Sequence, residues 1–279
     1  MYGVPGELPA FPEGSAEVGG VVVRVSGREV PDDWAERWKR FHRPVLISGQ
    51  IYVRPPWEEP AVRPGVRQCE LSGLFLRRVF ELGADQNTVD PIWEVMPESV
   101  AAGPHSVTGD LVFPTVTTDR ALARGDVVWV DTGITWNGYD SDFGRTWIVG
   151  ADPTPAQHDQ FPRWKEVVDA VLAVTAPGAT GGDLTRAALA AAGDGRRPWL
   201  PHLYLAHGIG VDSAEAPFVG TDLGLDFDES IVLAPGMVFV VEPIAWADGT
   251  GGYRGEEIIA VTDTDYQLLS DHPYAPYAA

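Results

Sequence analysis

Two aspartates stand eleven residues apart in a context that points to metal chemistry. Asp131 closes the run Gly125-Asp-Val-Val-Trp-Val-Asp131, and Asp142 lies in Tyr139-Asp-Ser-Asp-Phe-Gly-Arg145. A carboxylate at the end of an apolar strand is costly to bury unless something compensates its charge. A cation is the usual compensation. Three further candidates stand in similar contexts. His207 opens His207-Gly-Ile-Gly210, Glu242 ends the apolar run Met237-Val-Phe-Val-Val-Glu242, and Glu256 follows Tyr253-Arg-Gly255. One imidazole with four carboxylates is an oxygen-rich donor set that suits Mn, Fe, Co or Zn, and bridging carboxylates favour a pair of ions. Two ions about 3.5–4 Å apart can share a water and lower its pKa toward neutral.

The elements that must position these groups follow from pattern. The run up to Asp131 reads as a buried strand. Gly133 and Asn137-Gly138 are turn chemistry, so the chain is expected to double back and bring both aspartates to one point. The spacing predicts a helix over 70–82, with Leu71, Leu74, Phe75, Val79 and Leu82 on one face and Gly83 ending it. Cys69 at its start is expected as a small buried apolar group. A second helix follows Pro153-Thr154-Pro155, with Trp164, Val167, Val168, Val171 and Leu172 as its buried stripe and Pro177-Gly178 as its stop. A third covers 184–192, capped by Thr180 or Asp183. Strands are expected at 91–96, 110–113, 238–244 and 253–261, and a short helix at 32–41. Arg54-Pro-Pro-Trp-Glu-Glu-Pro60 excludes a continuous helix there. Residues 1–30, rich in Gly, Pro and Glu, look loosely ordered. The order of elements is an α+β pattern, with residues 1–60 as a short irregular N-terminal segment and 61–279 as the metal-binding domain.

Composition excludes several classes. The chain has 279 residues and a net charge of −20, with two lysines against eighteen arginines. Such a surface repels phosphate backbones and argues against nucleic-acid binding. No apolar run approaches the roughly 18 residues of a membrane span. The N-terminus shows no basic region and no apolar signal core, so a cytoplasmic soluble protein is expected. The single cysteine excludes a disulfide within the chain. The stretch 211–229, with six acids and no base, reads as a solvated loop. Gly208-Ile-Gly210 lacks the third glycine of a dinucleotide fingerprint, and no Gly-x-Ser-x-Gly elbow is present.

The order Asp, Asp, His, Glu, Glu resembles the pita-bread metallopeptidase family, which includes methionine aminopeptidase, Xaa-Pro aminopeptidase, prolidase and creatinase. The resemblance runs from Val62-Arg-Pro-Gly-Val66 through Asp131-Thr-Gly133, Ser141-Asp-Phe-Gly-Arg-Thr146, His207-Gly-Ile-Gly210 and Glu242-Pro243 to Arg254-Gly-Glu256. It implies a curved antiparallel sheet with flanking helices and pseudo-twofold halves. It implies that Asp131, Asp142, His207, Glu242 and Glu256 hold two divalent ions (Mn, Co, Fe or Zn), with Glu242 also as a proton carrier. Arg145 and Arg254 would orient carboxylates from behind. A hydrolase that attacks an amide C–N bond with a metal-bridging hydroxide is the implied activity. A small-molecule or short-peptide substrate and a homodimer go with it.

Peptidases of that family carry two further histidines. Here their positions hold Phe113 or Pro114 and Ala214, although Glu215 and Pro217 match. Those histidines hold the scissile carbonyl or the leaving amine, and losing one such donor costs about 10²–10³ in rate. Phe113 and Ala214 would then shape a more apolar substrate pocket. His105 and His202 are the available stand-ins, but neither occupies a family position, so an ordinary role is expected for both. The alternatives are a non-peptidase metalloenzyme on the same scaffold, such as a lyase or a small-amide hydrolase, and a binding protein without catalysis. Residues 1–60 are too short for the extra N-terminal domain that many relatives carry.

Overall fold

Where composition pointed to loose order in residues 1–30, the valines at 21–25 form a strand. In the computed structural model, β1 (Gly14–Val18) pairs antiparallel with β2 (Val21–Val25). The signal was present in the sequence: a Gly19-Gly20 pair ahead of a β-branched run is hairpin chemistry. A second hairpin joins β3 (Val45–Ile47) to β4 (Ile51–Val53). The structure describes residues 14–18, 21–25, 45–47, 51–53, 60–96, 117–200, 202–247, 250–274 and 276–277. The expected helix at 32–41 and strand at 110–113 lie outside these residues. The chain divides into two units, 1–59, which holds the two hairpins, and 60–279, which holds every element below.

The second unit begins with α1 (Gln68–Glu81), whose capping box joins the Arg67 backbone N–H to Glu70 Oε2 at 2.9 Å. Gly83 follows with φ +91° and ends the helix as expected. Its buried face is Gln68, Leu71 and Val79, narrower than the apolar stripe suggested. Leu74 is 44% exposed and Leu82 58%. At about 100° per residue, Leu74 falls on the flank of that face, and Leu82 lies beyond the last turn. Cys69 points outward and is exposed, which corrects its expected burial.

A four-stranded antiparallel sheet follows. Its central strand β6 (Val127–Trp136) lies between β5 (Gln86–Val95) and β8 (Phe143–Ile148), with β7 (Tyr139–Asp140) pairing at its far end. The turn out of β6 is Asn137-Gly138, both at positive φ (51° and 79°), as a two-residue hairpin of this hand requires. Gly133 is not part of it. The strand runs on past Asp131, and Gly133 pairs with Val89 beside a register shift, the usual place for a glycine inside a strand.

The helices α2 (Pro155–Val174) and α3 (Gly181–Ala192) form the next layer. Both start with complete capping boxes, Thr154 with Gln157 and Thr180 with Asp183. Every residue of the expected α2 stripe is buried. That stripe packs on a five-stranded antiparallel sheet, in the order β10 (Glu215–Val219), β9 (Ala206–Gly208), β11 (Val238–Val241), β14 (Glu257–Val261), β15 (Tyr266–Leu268). The core between them holds Trp164, Trp199, Phe239 and Tyr253, with both indole N–H groups donating to backbone carbonyls, those of Pro243 and Gly220.

The acidic stretch 211–229 is not wholly a solvated loop. It contains β10 and a helical turn, α4 (Leu225–Glu229), and Asp228 is buried where it accepts from Thr185 Oγ1 and the Gly220 N–H. The strands expected at 238–244 and 253–261 are each broken in two. β12 (Ile244–Ala247) begins after Glu242-Pro243, where proline offers no ladder donor. β13 (Gly251–Arg254) pairs with β12 and ends before Gly255-Glu256. Among the described residues, no helix is long and apolar enough to cross a membrane.

Candidate metal centre

The strand breaks carry the candidate ligands. Asp131 sits within β6 opposite Gly144 of β8, and Thr132 opposite Phe143, so Asp142 just ahead of β8 comes back beside Asp131. His207 is the middle residue of β9 and pairs with Val240 of β11, whose end delivers Glu242. The Glu256 N–H donates to the Gly144 carbonyl at 3.1 Å, which ties the β13–β14 break to the first sheet. All five candidates therefore converge, two from one sheet and three from the other.

Asp131, Asp142 and Glu256 offer carboxylate oxygens that all lie within 4.8 Å of one another. His207 Nε2 lies 3.4 Å from Asp142 Oδ2 and 3.3 Å from Glu242 Oε1. The centre is thus two overlapping donor groups joined at Asp142. His207 Nδ1 is 2.8 Å from the Gly208 carbonyl, which only accepts, so Nδ1 carries a proton and Nε2 is the nitrogen aimed at the carboxylates. That is the orientation of a ligating imidazole.

The protein supplies one permanent cation to the cluster. The Arg254 guanidinium stacks over the Trp129 ring, 4.5 Å from its centroid, and Nη2 reaches Glu242 Oε2 at 2.6 Å, Asp131 Oδ2 at 3.1 Å and Glu256 Oε1 at 3.1 Å. It faces three carboxylates at once. Four acids around one arginine and one histidine cannot all ionise. Burial and the neighbouring Asp142 and Glu242 charges push Asp131 up to about 7, against the pull of Arg254. Burial and the Asp142 and Asp131 charges raise Glu256 well above the carboxylate range. Burial would raise Glu242 as well, but His202, His207 and Arg254 around it bring it down to about 2. Burial opposes the His207 imidazolium, yet the Asp142 and Glu242 carboxylates prevail and push it up to about 10.

This donor set fits divalent cations. Both Glu256 oxygens are buried without a hydrogen bond, Arg254 Nη2 being near Oε1 but not aligned with it. Buried carboxylate oxygens left this way are expected of ligands to an ion and are costly otherwise.

Arg145 lies behind the cluster and does not touch a ligand carboxylate. It donates to the Glu256 backbone carbonyl at 2.5 Å, to the Gly144 carbonyl at 2.9 Å and to Glu257 Oε1 at 3.2 Å. It therefore fixes the peptide that carries Glu256, not its carboxyl group. Ala214 is exposed, one residue ahead of β10, and brings no polar side-chain atom. Phe113 and His105 lie outside the described residues.

Two residues at the centre, Gly144 and Tyr204, were not anticipated from sequence. A Cβ on Gly144 would meet Glu256 Cδ and Oε1 at 2.5 Å, so this glycine is the space the carboxylate occupies. A glycine inside an otherwise strand-like run was the available signal. His202, weighed from sequence as a stand-in, has Nε2 3.9 Å from Glu242 Oε2 and so stands beside the cluster. Tyr204, with its ring 5.3 Å from that of His207, carried no signal.

The model of a protein family described as metallopeptidase family M24 matches residues 52–263. An uncharacterized peptidase, YqhT of Bacillus subtilis, is 32% identical over 224 residues, 76% of this chain and 55% of that protein. The Xaa-Pro dipeptidase of Pyrococcus furiosus is 30% identical over 156 residues, 56% of this chain and 42% of that protein. Among solved structures, the prolidase from Pyrococcus furiosus superposes with a TM-score of 0.63 at 27% identity, covering 76% of this chain and 58% of that one. Dipeptidase PepE from Mycobacterium ulcerans gives 0.62 at 28% identity, covering 76% and 53%. The chain spans about half the length of the curated relatives it matches. The α+β architecture is the pita-bread fold, and the chain belongs to metallopeptidase family M24.

Proposed function

We propose that residues 61–279 form a metal-dependent hydrolase that cleaves the amide bond of short peptides, with residues 1–60 as a separate short segment. Asp131, Asp142, His207, Glu242 and Glu256 would hold two divalent cations from the set Mn, Co, Fe and Zn. The observation that carries this reading is that both buried Glu256 oxygens lack a hydrogen bond among the described residues, inside a cluster whose other donors are already aimed at one another. When bound, the cations would supply Lewis acidity and a water of lowered pKa.

The chain's own groups do the rest. Arg254 holds three carboxylates in register from the Trp129 side. Arg145 and Gly144 set the depth of Glu256. Glu242 is the carboxylate through which a proton would pass, because it faces both imidazoles, His207 at 3.3 Å and His202 at 3.9 Å. Short peptides ending in Xaa-Pro are the first substrates to try, since two of the relatives are an Xaa-Pro dipeptidase and a prolidase. A homodimer in the cytoplasm is the assembly and compartment that accompany this reading.

Elemental assay of the purified chain after dialysis with Mn, followed by Ala-Pro and Gly-Pro hydrolysis, tests it. Two bound ions and proline release are expected. Ala214, which offers no imidazole, favours a second reading: a non-peptidase enzyme on the same centre. Turnover of small amides or β-substituted acids, with no dipeptide cleavage, would decide for that one.

A further inference from the structure

Tyr204 places a phenol at the metal centre that no described residue engages. Its ring stands edge-on to His207, with centroids 5.3 Å apart and planes at 72°, and edge-on to His202 at 4.5 Å and 85°. On the remaining side it leans against Phe218 at 5.2 Å, the residue that pairs with His207 across β9 and β10. The ring is thus fixed on three sides. Tyr204 is only partly buried, so its phenol edge remains open to a bound molecule. A phenol at neutral pH carries an O–H that can donate. This phenol has no hydrogen bond among the described residues and is available to a ligand.

Among the described residues, Arg254, His207 and His202 already have partners for their donors at the cluster. Arg254 Nη2 is spread over three carboxylates, and His207 Nδ1 is spent on the Gly208 carbonyl. His202 Nδ1 is spent on the Tyr204 carbonyl at 3.1 Å, which leaves its Nε2 an acceptor. An amide substrate brings a carbonyl oxygen that gains negative charge on the way to the tetrahedral state. Such an oxygen needs a donor already in place.

We infer that the Tyr204 hydroxyl donates a hydrogen bond to the scissile carbonyl oxygen of the bound substrate, with His202 as the positioning residue that locks Tyr204 through its backbone carbonyl and ring edge. This rests on the amide-hydrolase reading and adds to it a residue outside the ligand set. Phe218 forms the apolar wall against which the phenol is held.

Tyr204→Phe keeps the ring and removes the donor. The full chain is loaded with Mn, and three quantities are compared with wild type: Mn affinity and stoichiometry by calorimetry, kcat and KM for Ala-Pro, and Kd for a phosphinate analogue of Ala-Pro that mimics the tetrahedral state. The expected result is unchanged Mn binding, kcat lower by about 10²-fold with KM within a few-fold, and phosphinate affinity lower to a similar extent. Tyr204→His, which restores a donor, should recover part of the loss. A wild-type kcat and phosphinate Kd in Tyr204→Phe would overturn the assignment and leave the hydrolase reading standing. Loss of Mn binding in Tyr204→Phe would also overturn it, by making the residue a support of the ligands. A wild-type protein that binds Mn but neither cleaves dipeptides nor binds the phosphinate would overturn the hydrolase reading itself, and the role of Tyr204 with it.

Discussion

Val241 and Glu242 are neighbours in the chain and almost equally buried, at 0% and 2% exposed, yet they belong to opposite kinds of interior. Val241 ends a strand and, with Phe239, belongs to the core cluster that holds the α2 and α3 side chains, and its burial stabilises directly by removing apolar surface from water. Glu242 begins a cluster of four acids whose burial costs free energy until positive charge is supplied. One interior holds the fold together and the other is held by it. The difference is that truncation should weaken the first, whereas neutralisation should relieve the second.

The largest effect belongs to the apolar side. Trp164 is 1% exposed, stacks with Phe161, meets Tyr253 and Tyr274 edge-on, and donates to the Pro243 carbonyl. Trp164→Ala should cost about 3–5 kcal/mol in chemical denaturation, enough to threaten folding. A loss under about 1 kcal/mol would show that this layer is not the stabilising half.

Glu94 sharpens the comparison, because it is a buried acid outside the metal cluster. It is 3% exposed, accepts from Gln68 Nε2 at 3.1 Å and has a second oxygen without a partner. Burial pushes it up to about 7, against the Gln68 hydrogen bond and the Arg120 charge. Between the unfolded value near 4.5 and the folded value, the unfolded chain binds fewer protons. Folded stability is therefore highest below the unfolded value and falls as pH rises toward about 7. Glu94→Gln should lack that fall, so its advantage over wild type should grow to about 3 kcal/mol by pH 8. Parallel stability curves for the two proteins between pH 4.5 and 8 would refute the buried-charge argument at this site.

The sequence reported the two interiors unequally. Apolar periodicity showed α2 residue by residue, since a stripe at helical spacing against a sheet has one way to be buried. Asn137-Gly138 showed the hairpin because few residue pairs tolerate two positive φ values. The five cluster residues were visible through their motifs, although nothing in their spacing fixed how near they would come. What stayed hidden depends on tertiary closeness. Gly133 looked like a turn and is a paired residue of β6 beside the register shifts of β5, because a glycine reports permissiveness and not its use. The strands through Glu242 and Glu256 were read as continuous, whereas the chain breaks them to turn those carboxylates inward. Cys69 and Leu74 were assigned to the inside by residue type, while the sheet covers only one flank of α1. Ala214 marked a missing donor in the sequence, but only the ring contacts of Tyr204 indicate where another donor stands.

Cation binding tests the charged interior as a unit. Mn at about 100 times its Kd should raise folding stability by about 2.7 kcal/mol, because the unfolded chain has no preformed site. Gly144→Ala should abolish most of that gain, since the new methyl group would occupy the place of the Glu256 carboxylate, 2.5 Å from Cδ. A full Mn-dependent shift in Gly144→Ala, measured by thermal denaturation with and without the ion, would remove Glu256 from the ligand set.

The smallest effect is the most diagnostic, because its sign differs between the two interiors. Glu256→Gln keeps the shape of the side chain and removes one acid from the crowded set. Without added metal at pH 8, the variant should be more stable than wild type by about 1 kcal/mol, as expected when a buried charge with incomplete compensation is neutralised. With Mn it should lose the ion-dependent gain and fall below wild type. The crossing of the two stabilities, read by urea titration with chelator and then with Mn, separates a ligand from a structural carboxylate. A carboxylate that merely supports Arg254, 3.1 Å away, would leave the variant less stable under both conditions.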